Sequence, residues 1–295
     1  MNQKQYEVIK NKKGFIAALD QSGGSTPRAL TNYGISDDQY HDEESMFAQV
    51  HTMRTRIIKS PAFDQAHIIG AILFERTMRS MIDDQLTADY LWEAKGVVPF
   101  LKIDKGLQDK ADGVQLMKEM PKLDALLKEA NEKHIFGTKM RSVIHEDNDQ
   151  GIAEVIAQQF KYARQILGFE LMPIVEPEVN IHAENKHDIE VKMKAEIFKQ
   201  LDTLKPNQQV MLKLTPPEQA NLFADLLEDP RILRIVFLSG GHSREHANTL
   251  LAANHGVAAS FSRALTEGLL VSQSEAEFDA LLKKSVKTIY DASIT

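Results

Sequence analysis

The chain has 295 residues, of which 43% are hydrophobic and 26% charged, and its formal net charge is −7. This acidic balance disfavours nucleic acid and anionic membranes as partners, but it leaves room for a locally positive pocket that binds a small anion. The absence of cysteine excludes disulfides, thiolate catalysis and cysteine-based metal sites.

The N-terminal stretch MNQKQYEVIKNKKG is polar and charged. It lacks the apolar segment and the small-residue cleavage site of a signal peptide. No apolar run in the sequence approaches the length of a membrane span. These features predict a soluble, cytoplasmic protein.

Eight apolar runs with β character follow one another along the chain, and segments with helical periodicity separate them. Such near-continuous apolar strands are typical of a parallel sheet that is covered by helices. Eight units in about 250 residues favour an α/β fold of the (β/α)8 TIM-barrel type, which we expect to form a single domain over residues 1–295. The runs are GFIAALD (14–20), IIGAILFE (68–75), VVPFLKID (97–104), HIFGTKMR (134–141), LMPIVEPEV (171–179), QVMLKLT (209–215), ILRIVFLS (232–239) and GVAASFSR (256–263).

A doubly wound open sheet is the alternative architecture. It normally has fewer strands at this length, and the sequence contains neither G-x-G-x-x-G nor G-x-x-x-x-G-K-[ST]. Helical patterns are clear at 147–167 and 243–255. The longest gap separates the first two runs, which predicts an additional helix there.

The sixth run carries a charged residue inside an otherwise apolar strand. Because side chains alternate along a strand, Val210, Leu212 and Leu214 are expected to face the helices, whereas Met211 and Lys213 face the barrel interior. A lysine that reaches water at a frayed strand end is the simplest explanation for one such residue. Other runs, however, also place polar residues on one face near their C-terminal ends. These residues are Lys102 and Asp104, Lys139 and Arg141, Glu176 and Glu178, together with Asp20, Glu75 and Ser239, each at the end of its run.

Barrel enzymes carry their active sites at this end of the strands. Structural ion pairs would explain any one of these residues, but they explain the recurrence poorly. A desolvated lysine near a second cation is suited to attack on a carbonyl, which forms a Schiff base. We therefore interpret Lys213, beside Lys139, as a nucleophile, Glu176 and Glu178 as proton-transfer groups, and Asp20 as a base.

The stretch FLSGGHSRE (237–245) suggests a phosphate site. It combines a strand end, the turn Ser239-Gly240-Gly241 and a helix start, so that backbone N–H groups can surround an anion. Such turns are common, but Arg263, just past the next strand, adds a cation that can bind phosphate with two hydrogen bonds.

A second candidate phosphate site lies in DQSGGSTPRAL (20–30). The residues from Ser22 to Ser25 could wrap an anion, although an ordinary turn before a helix explains them equally well. Thr26 and Pro27 are expected to be the N-cap and first residue of that helix.

The histidines do not predict a metal site. His242 and His246 are four residues apart, but the H-E-x-x-H pattern is missing, and surface histidines are the simpler interpretation. The sequence predicts no metal and no cofactor.

Seven stretches together resemble class I fructose-bisphosphate aldolases, and the shorter length suggests the bacterial branch of that family. They occur in order from about residue 14 to residue 265, and PIVEPE followed by SGG is a specific combination. The stretches are ALDQSGGS (18–25), FLKIDKG (100–106), TKMRS (138–142), PIVEPEVN (173–180), LKLT (212–215), FLSGGHS (237–243) and ASFSRAL (259–265).

The resemblance implies a barrel that reversibly cleaves fructose 1,6-bisphosphate into dihydroxyacetone phosphate and glyceraldehyde 3-phosphate, in glycolysis and gluconeogenesis, without a metal. Lys213 would be the Schiff-base lysine, Glu176 would move protons during imine formation, and Glu178 would hold Glu176. Asp20 would position or deprotonate the C4 hydroxyl, and Lys139 would support the carbinolamine steps. The C1 phosphate would contact Ser239, Gly240, Gly241, Ser260 and Arg263, and the C6 phosphate end would lie towards Lys102, Arg141, Ser22 and Ser25.

The chain departs from the animal members of that family in three places. It has Gln21 where they have glutamate, and Phe261-Ser262 where they have Tyr-Gly. They also end in a longer tail with a terminal tyrosine, which Tyr290 does not match. Many members are tetramers, so a homo-oligomer is one expectation, although no stretch identifies an interface.

Two other functions remain open from the residues. A different Schiff-base barrel enzyme acting on sugar phosphates, such as a transaldolase-like enzyme, would share the interior lysine, although two phosphate-like stretches favour a bisphosphate. A non-catalytic barrel that binds sugar phosphates would need the cations, but it has no use for an interior lysine beside carboxylates.

Overall fold

The computed structural model describes residues 1–22 and 24–295, without the side chain of Ser25. Its main sheet contains eight parallel strands, each buried along most of its length. The strands are β1 (Phe15–Leu19), β2 (Ile68–Leu73), β3 (Val98–Lys102), β4 (Gly137–Ile144), β5 (Met172–Val179), β6 (Val210–Leu214), β7 (Ile232–Phe237) and β8 (Ala258–Phe261).

The strands pair in the order β3-β2-β1-β8-β7-β6-β5-β4, and a further pairing of β3 with β4 closes the sheet into a barrel. The predicted (β/α)8 TIM-barrel fold is confirmed. The fourth strand begins later than its predicted run, because residues 134–136 close the preceding helix: His134 has φ +58° and donates its backbone N–H to the carbonyl of Asn131.

Helices connect the strands and cover the outside of the barrel, and the additional helix predicted between the first two strands is α3. Short antiparallel strands pair Met81–Ile82 with Gln85–Leu86, and Val114–Gln115 pairs with β4. The helices are α1 (Gln3–Asn11), α2 (Ser25–Asn32), α3 (Glu43–Lys59), α4 (Glu75–Arg79), α5 (Thr87–Asp89), α6 (Leu123–Glu132), α7 (Asp149–Leu167), α8 (Lys186–Leu201), α9 (Ala224–Leu227), α10 (Arg244–Ala252), α11 (Arg263–Thr266) and α12 (Glu275–Ala292); the turn Tyr90–Ala94 is a π-helix.

Side-chain alternation divides the apolar core into two clusters. The larger cluster fills the space between sheet and helices and includes Val210, Leu212 and Leu214, as the sequence predicts. The smaller cluster fills the barrel interior and includes Met211. The same rule therefore sends Lys213, two residues beyond Met211, towards the interior.

Helix α1 closes the end of the barrel where the strands begin. Ile9 is fully buried and belongs to the interior cluster. The guanidinium of Arg234 donates to the carbonyl oxygen of Ile9 (2.6 Å), which satisfies a C-terminal carbonyl of the helix. The open end of the interior is thus the end at which the strands finish.

In the described residues, no helix combines the length and apolar character that a membrane span requires.

Candidate active site

A cavity of about 630 Å³ opens at the C-terminal ends of the strands. All of the residues predicted to be catalytic line it, together with most of those predicted to bind phosphate. Gly241 lies beside it, and the side chain of Ser25 is outside the described residues. The predicted residues that line the cavity are Asp20, Ser22, Lys102, Lys139, Arg141, Glu176, Glu178, Lys213, Ser239, Gly240, Ser260 and Arg263.

The centre of the site is a chain of ion pairs among buried side chains. Lys213 Nζ lies 3.1 Å from Glu176 Oε1, and Lys139 Nζ lies 3.0 Å from Glu176 Oε2. Lys139 Nζ also lies 2.7 Å from Asp20 Oδ2. Each of these four residues is at most 8% exposed. Glu176 therefore lies between two ammonium groups, and Lys139 lies between two carboxylates.

Strand register explains the contact between Lys213 and Glu176. Ile174 on β5 is the register partner of Met211 on β6, and both belong to the interior cluster. Two residues further along each strand, the same face carries Glu176 and Lys213. The two charged side chains therefore occupy the layer directly above the apolar interior.

The electrostatics of the site favour a charged Asp20 and a charged Lys139. Burial alone would raise the pKa of Asp20, but the Lys139 and Lys213 ammonium groups lower that pKa well below its usual range. Burial alone would lower the pKa of Lys139, but Asp20 and Glu176 raise it well above its usual range. Lys139 is thus a fixed cation, and the sequence interpretation missed that Glu176 lies between it and Lys213.

A glutamine on α7 holds the backbone of Glu176. Gln159 is fully buried, and its Oε1 accepts a hydrogen bond from the backbone N–H of Glu176 (2.9 Å). Its Nε2 donates to Ser142 Oγ on β4 (3.2 Å). The role of Gln159 could not be predicted from the sequence. It lies within an amphipathic helix pattern, where a glutamine that faces the sheet has the same residue type as one that faces solvent.

The C-terminal ends of β5 and β6 are joined by the side chain of Thr215 rather than by backbone hydrogen bonds between the strands. Thr215 Oγ donates to the carbonyl oxygen of Val179 (2.7 Å) and accepts from the backbone N–H of Val179 (3.0 Å). The paired register of the two strands ends at Val175 and Leu212. Thr215 therefore stabilises the strand ends that carry Glu176 and Lys213.

Two further ion pairs lie along the cavity wall. Arg141 Nε lies 2.6 Å from Glu178 Oε2, and Lys102 Nζ lies 2.7 Å from Asp104 Oδ1. Among the described contacts, Glu178 pairs with Arg141, whereas Glu176 pairs with Lys139 and Lys213. The described contacts leave Asp104 Oδ2 buried without a hydrogen bond, which makes it an acceptor that sequence analysis did not assign.

The predicted phosphate turn has the expected geometry. His242 N–H donates to the carbonyl oxygen of Ser239 (2.9 Å), which closes the turn. Gly240 and Gly241 have φ values of +60° and +109°, a backbone conformation that residues with a side chain rarely adopt. A methyl group on Gly241 would lie 3.5 Å from Arg263 Nη2, so the guanidinium lies over the turn. Ser260 Oγ is buried nearby, and the described residues supply it with no hydrogen bond.

The helix after β1 begins earlier than predicted. Its first residue is Ser25 and its N-cap is Gly24, so the assignment of Thr26 as N-cap is wrong. Pro27 is then the third helical residue, which is allowed because the first N–H groups of a helix have no intrahelical acceptor. The helix contributes Arg28, missed by sequence analysis, to the cavity wall.

Two other residues considered in the sequence analysis, Glu75 and Tyr290, lie outside the cavity. Glu75 begins α4 and pairs with Arg79 (3.4 Å) and Lys105 at a separate surface pocket. The ring of Tyr290 packs edge-on against His67, with 4.9 Å between the ring centroids. Because His67 directly precedes β2, this contact lies at the opposite end of the barrel.

Within the part of the chain that the structure describes, His, Asp and Glu side chains form no group of three that could hold a metal ion.

The cavity has an excess of positive charge in a protein whose net charge is −7. Six cationic side chains and four carboxylates are found among its described lining residues. Arg28 and Arg263, for which the described residues provide no carboxylate partner, are exposed at its rim. An anionic small molecule is the ligand class that such a cavity attracts.

A closed (β/α)8 barrel whose strand ends gather buried lysines and carboxylates in a positive cavity belongs to the barrel enzymes. The family model described as "Fructose-bisphosphate aldolase class-I" matches residues 1–272, and the chain belongs to that family. Family membership makes the protein an aldolase, and hence a lyase.

A solved structure supports the fold. The chain is similar to a fructose-bisphosphate aldolase from Plasmodium falciparum, whose structure is a ternary complex with TRAP and a small-molecule inhibitor. The TM-score is 0.76 at 21% identity, and the match covers 98% of this chain and 92% of that chain.

Proposed function

We propose that this aldolase reversibly cleaves fructose 1,6-bisphosphate into dihydroxyacetone phosphate and glyceraldehyde 3-phosphate through a Schiff base on Lys213. The observation that carries the proposal is the buried position of Lys213, which is 4% exposed and lies 3.1 Å from a carboxylate that a second lysine also contacts. This arrangement supplies an amine nucleophile, a proton-transfer group and a fixed cation in one place.

Imine formation uses Lys213, Glu176 and Lys139. The Lys213 amine attacks the C2 carbonyl of the ketose, and the resulting carbinolamine loses water to give an iminium ion. Glu176 is within contact of the amine and can carry the protons that these steps add and remove. The fixed positive charge of Lys139 stabilises negative charge that develops on the carbinolamine oxygen.

Carbon–carbon cleavage uses Asp20. The carboxylate removes the proton of the C4 hydroxyl, the C3–C4 bond breaks, and its electron pair moves into the iminium to form an enamine. Glyceraldehyde 3-phosphate leaves at this point. Protonation of the enamine at C3 and hydrolysis of the imine then release dihydroxyacetone phosphate and restore the Lys213 amine. The lowered pKa of Asp20 keeps it ionised at neutral pH, so the carboxylate is in the form that can accept a proton.

Two groups of phosphate ligands favour a bisphosphate over the substrates of a transaldolase-like enzyme. At one side of the cavity, the turn Ser239-Gly240-Gly241, Ser260 and Arg263 are proposed to bind the C1 phosphate. At the other, Lys102, Arg141, Ser22 and Ser25 are proposed to face the C6 phosphate. A phosphate there would compete with Asp104 and Glu178 for the two cations.

A barrel that only binds sugar phosphates does not account for the interior charges. Burying Lys213, Lys139, Glu176 and Asp20 together costs free energy that apolar residues of similar size would not cost. Phosphate binding at the rim would not require these buried charges or their desolvation free energy. The substrate and products assign the reaction to glycolysis and gluconeogenesis, for which we propose a cytoplasmic location.

The test is a panel of ketose phosphates assayed for cleavage and for inactivation by borohydride, which reduces the imine to a stable amine. We expect cleavage of fructose 1,6-bisphosphate with a kcat/KM well above that for the monophosphates, and inactivation that requires a ketose phosphate. Equal activity on fructose 1-phosphate and the bisphosphate would refute a C6 phosphate site. Transfer of dihydroxyacetone to aldose acceptors, without bisphosphate cleavage, would identify the transaldolase-like alternative.

A further inference from the structure

Beneath the active site lies a buried cation that the proposed mechanism does not use. Arg54, on α3, is 1% exposed, and the hydrogen-bond acceptors that its guanidinium meets among the described residues are oxygen atoms of Thr77 and Gln21 rather than carboxylates. Burial lowers its pKa to about 10, while the charge of Asp20 opposes that change, so Arg54 stays protonated at neutral pH. An arginine buried without an ionic partner is costly, and such a group is expected to have a structural or functional role.

We infer that Arg54, Gln21 and Ser262 form a clasp that positions both Asp20 and Arg263, which would make them positioning residues for carbon–carbon cleavage. This inference rests on the proposed function, because it concerns the step assigned to Asp20. The clasp joins three segments that follow different strands: Gln21 follows β1, Thr77 follows β2 and Ser262 follows β8.

The guanidinium of Arg54 holds the first two segments together. Its Nη2 donates to the backbone carbonyl of Gln21 (2.7 Å), the residue next to Asp20. Its Nη1 donates to Thr77 Oγ1 on α4 (2.6 Å). Since a guanidinium is planar and rigid, these two contacts fix the carbonyl of Gln21 relative to the end of β2.

The side chain of Gln21 extends the clasp to the third segment. Gln21 Oε1 lies 3.4 Å from Arg54 Nη2, and Gln21 Nε2 lies 2.6 Å from Ser262 Oγ. Because a guanidinium only donates hydrogen bonds, the amide oxygen must face Arg54, and the amide nitrogen is then left to donate to Ser262. Both Gln21 and Ser262 line the cavity.

The positions of these two residues connect the clasp to both halves of the site. Gln21 follows Asp20 directly, and Ser262 precedes Arg263, which begins α11 and lies over the phosphate turn. A displacement of either partner would move a proposed catalytic carboxylate or a proposed phosphate ligand.

The experiment separates positioning from general stability by comparing two reactions of the same enzyme. Imine formation at saturating dihydroxyacetone phosphate, measured by borohydride trapping, does not involve the C4 hydroxyl, whereas single-turnover cleavage at saturating fructose 1,6-bisphosphate does. Saturation removes from both rates the effect of a weaker phosphate contact at Arg263. We expect Gln21→Met and Ser262→Ala each to lower the ratio of cleavage to trapping about 5- to 10-fold, the usual value of one hydrogen bond. The double variant should be no worse than the poorer single variant, since both remove the same contact.

Two further variants serve as controls. Ser262→Thr keeps the hydroxyl acceptor and is expected to keep the wild-type ratio. Gln209→Met removes a similar glutamine at the opposite end of the barrel, where its side chain accepts from Tyr6 Oη (2.7 Å) and donates to the carbonyl of Pro230 (2.7 Å). That change is expected to lower the melting temperature without changing the ratio.

An unchanged ratio in Gln21→Met and Ser262→Ala, or a double-variant effect equal to the product of the single effects, would overturn the clasp. These variants all keep Arg54. The test therefore does not require a variant without the buried guanidinium, which could fail to fold. Wild-type protein is measured first: failure of the wild type to cleave the bisphosphate or to be trapped would refute the proposed function instead.

Discussion

The two ends of the barrel interior are equally buried but chemically opposite. Near the strand starts, the interior is filled by residues such as Val98, Met172 and Met211, and α1 closes it. Near the strand ends, the same inward face carries Lys139, Glu176 and other charged groups, with similarly small exposure. Burial alone therefore does not distinguish the core from the active site. The two differ in the desolvation free energy of the buried groups, which is large for charged side chains and favourable for apolar ones.

The half of the interior near the strand starts, here called the lower half, thus supplies stability, and the half near the strand ends, the upper half, supplies chemistry. Methylene burial stabilises the lower layers, whereas the charged upper layer costs desolvation free energy that its ion pairs offset only in part. Substitutions in the two halves should consequently have different signatures: a loss of folding free energy below, and a loss of rate above.

The largest expected effect is at Lys213. Lys213→Met is expected to lower kcat by about 10⁴-fold or more, because the covalent intermediate can no longer form. Its free energy of unfolding should change little, because Glu176 keeps Lys139 as an ionic partner when an apolar side chain replaces Lys213. Steady-state cleavage and chemical denaturation measure the two quantities. Residual activity within tenfold of wild type would remove Lys213 from the mechanism.

Substitutions of Asp20 and Glu176 should slow different steps of the reaction. Asp20→Asn is expected to lower cleavage by about 10²- to 10⁴-fold while still permitting imine formation with dihydroxyacetone phosphate, because that triose lacks the C4 hydroxyl. Glu176→Gln is expected to slow borohydride trapping itself. Single-turnover cleavage and trapping of each variant make the comparison. If Asp20→Asn blocks trapping as severely as cleavage, the proposed division of labour is wrong.

The matched change in the lower half is at Met211, which shares a strand and a face with Lys213. Met211→Ala should reduce the free energy of unfolding by about 2–5 kcal/mol, because it opens a cavity in the packed interior. Its kcat per folded molecule should remain near wild type. A kcat loss comparable with that of Lys213→Met, measured where the variant is fully folded, would contradict the separation of the two halves.

A smaller effect is expected at the cavity rim. Arg263→Ala should weaken binding of dihydroxyacetone phosphate about 10- to 100-fold, the value of a charge-assisted hydrogen bond. Titration calorimetry with inorganic phosphate and with dihydroxyacetone phosphate measures the loss. Unchanged affinity for both ligands would remove Arg263 from the phosphate site.

No effect at all is expected from metal removal. Excess EDTA should leave cleavage activity unchanged, because the proposed electron sink is the Lys213 iminium rather than a metal-bound oxygen. Activity that disappears with EDTA and returns with Zn²⁺ would show a metal-dependent aldolase.

Much of this arrangement was predictable because it depends on local periodicity. Alternation along β6 was sufficient to place Met211 and Lys213 on the interior face, and it did so correctly. Register between strands is not local, so the position of Glu176 between two lysines and the pairing of Glu178 with Arg141 were beyond sequence reasoning.

Residues contributed by helices were also missed. Arg54 lies on α3 and Gln159 on α7, and each reaches the strand ends from outside the barrel. Their residue types are common on amphipathic helices, and only the tertiary packing shows that their polar atoms point inward. The start of α2 was misplaced because Thr-Pro is a strong helix-start signal that here lies inside the first turn.

The central claim is that Lys213, the interior lysine of β6, is the nucleophile in its amine form, and peptide mapping after borohydride trapping tests it most directly. The enzyme is reduced in the presence of dihydroxyacetone phosphate, digested, and searched by mass spectrometry for the lysine that carries the reduced adduct. We predict a single adduct on Lys213, absent from Lys213→Met. An adduct on Lys139, Lys102 or a surface lysine, or no adduct while cleavage activity persists, would contradict the account.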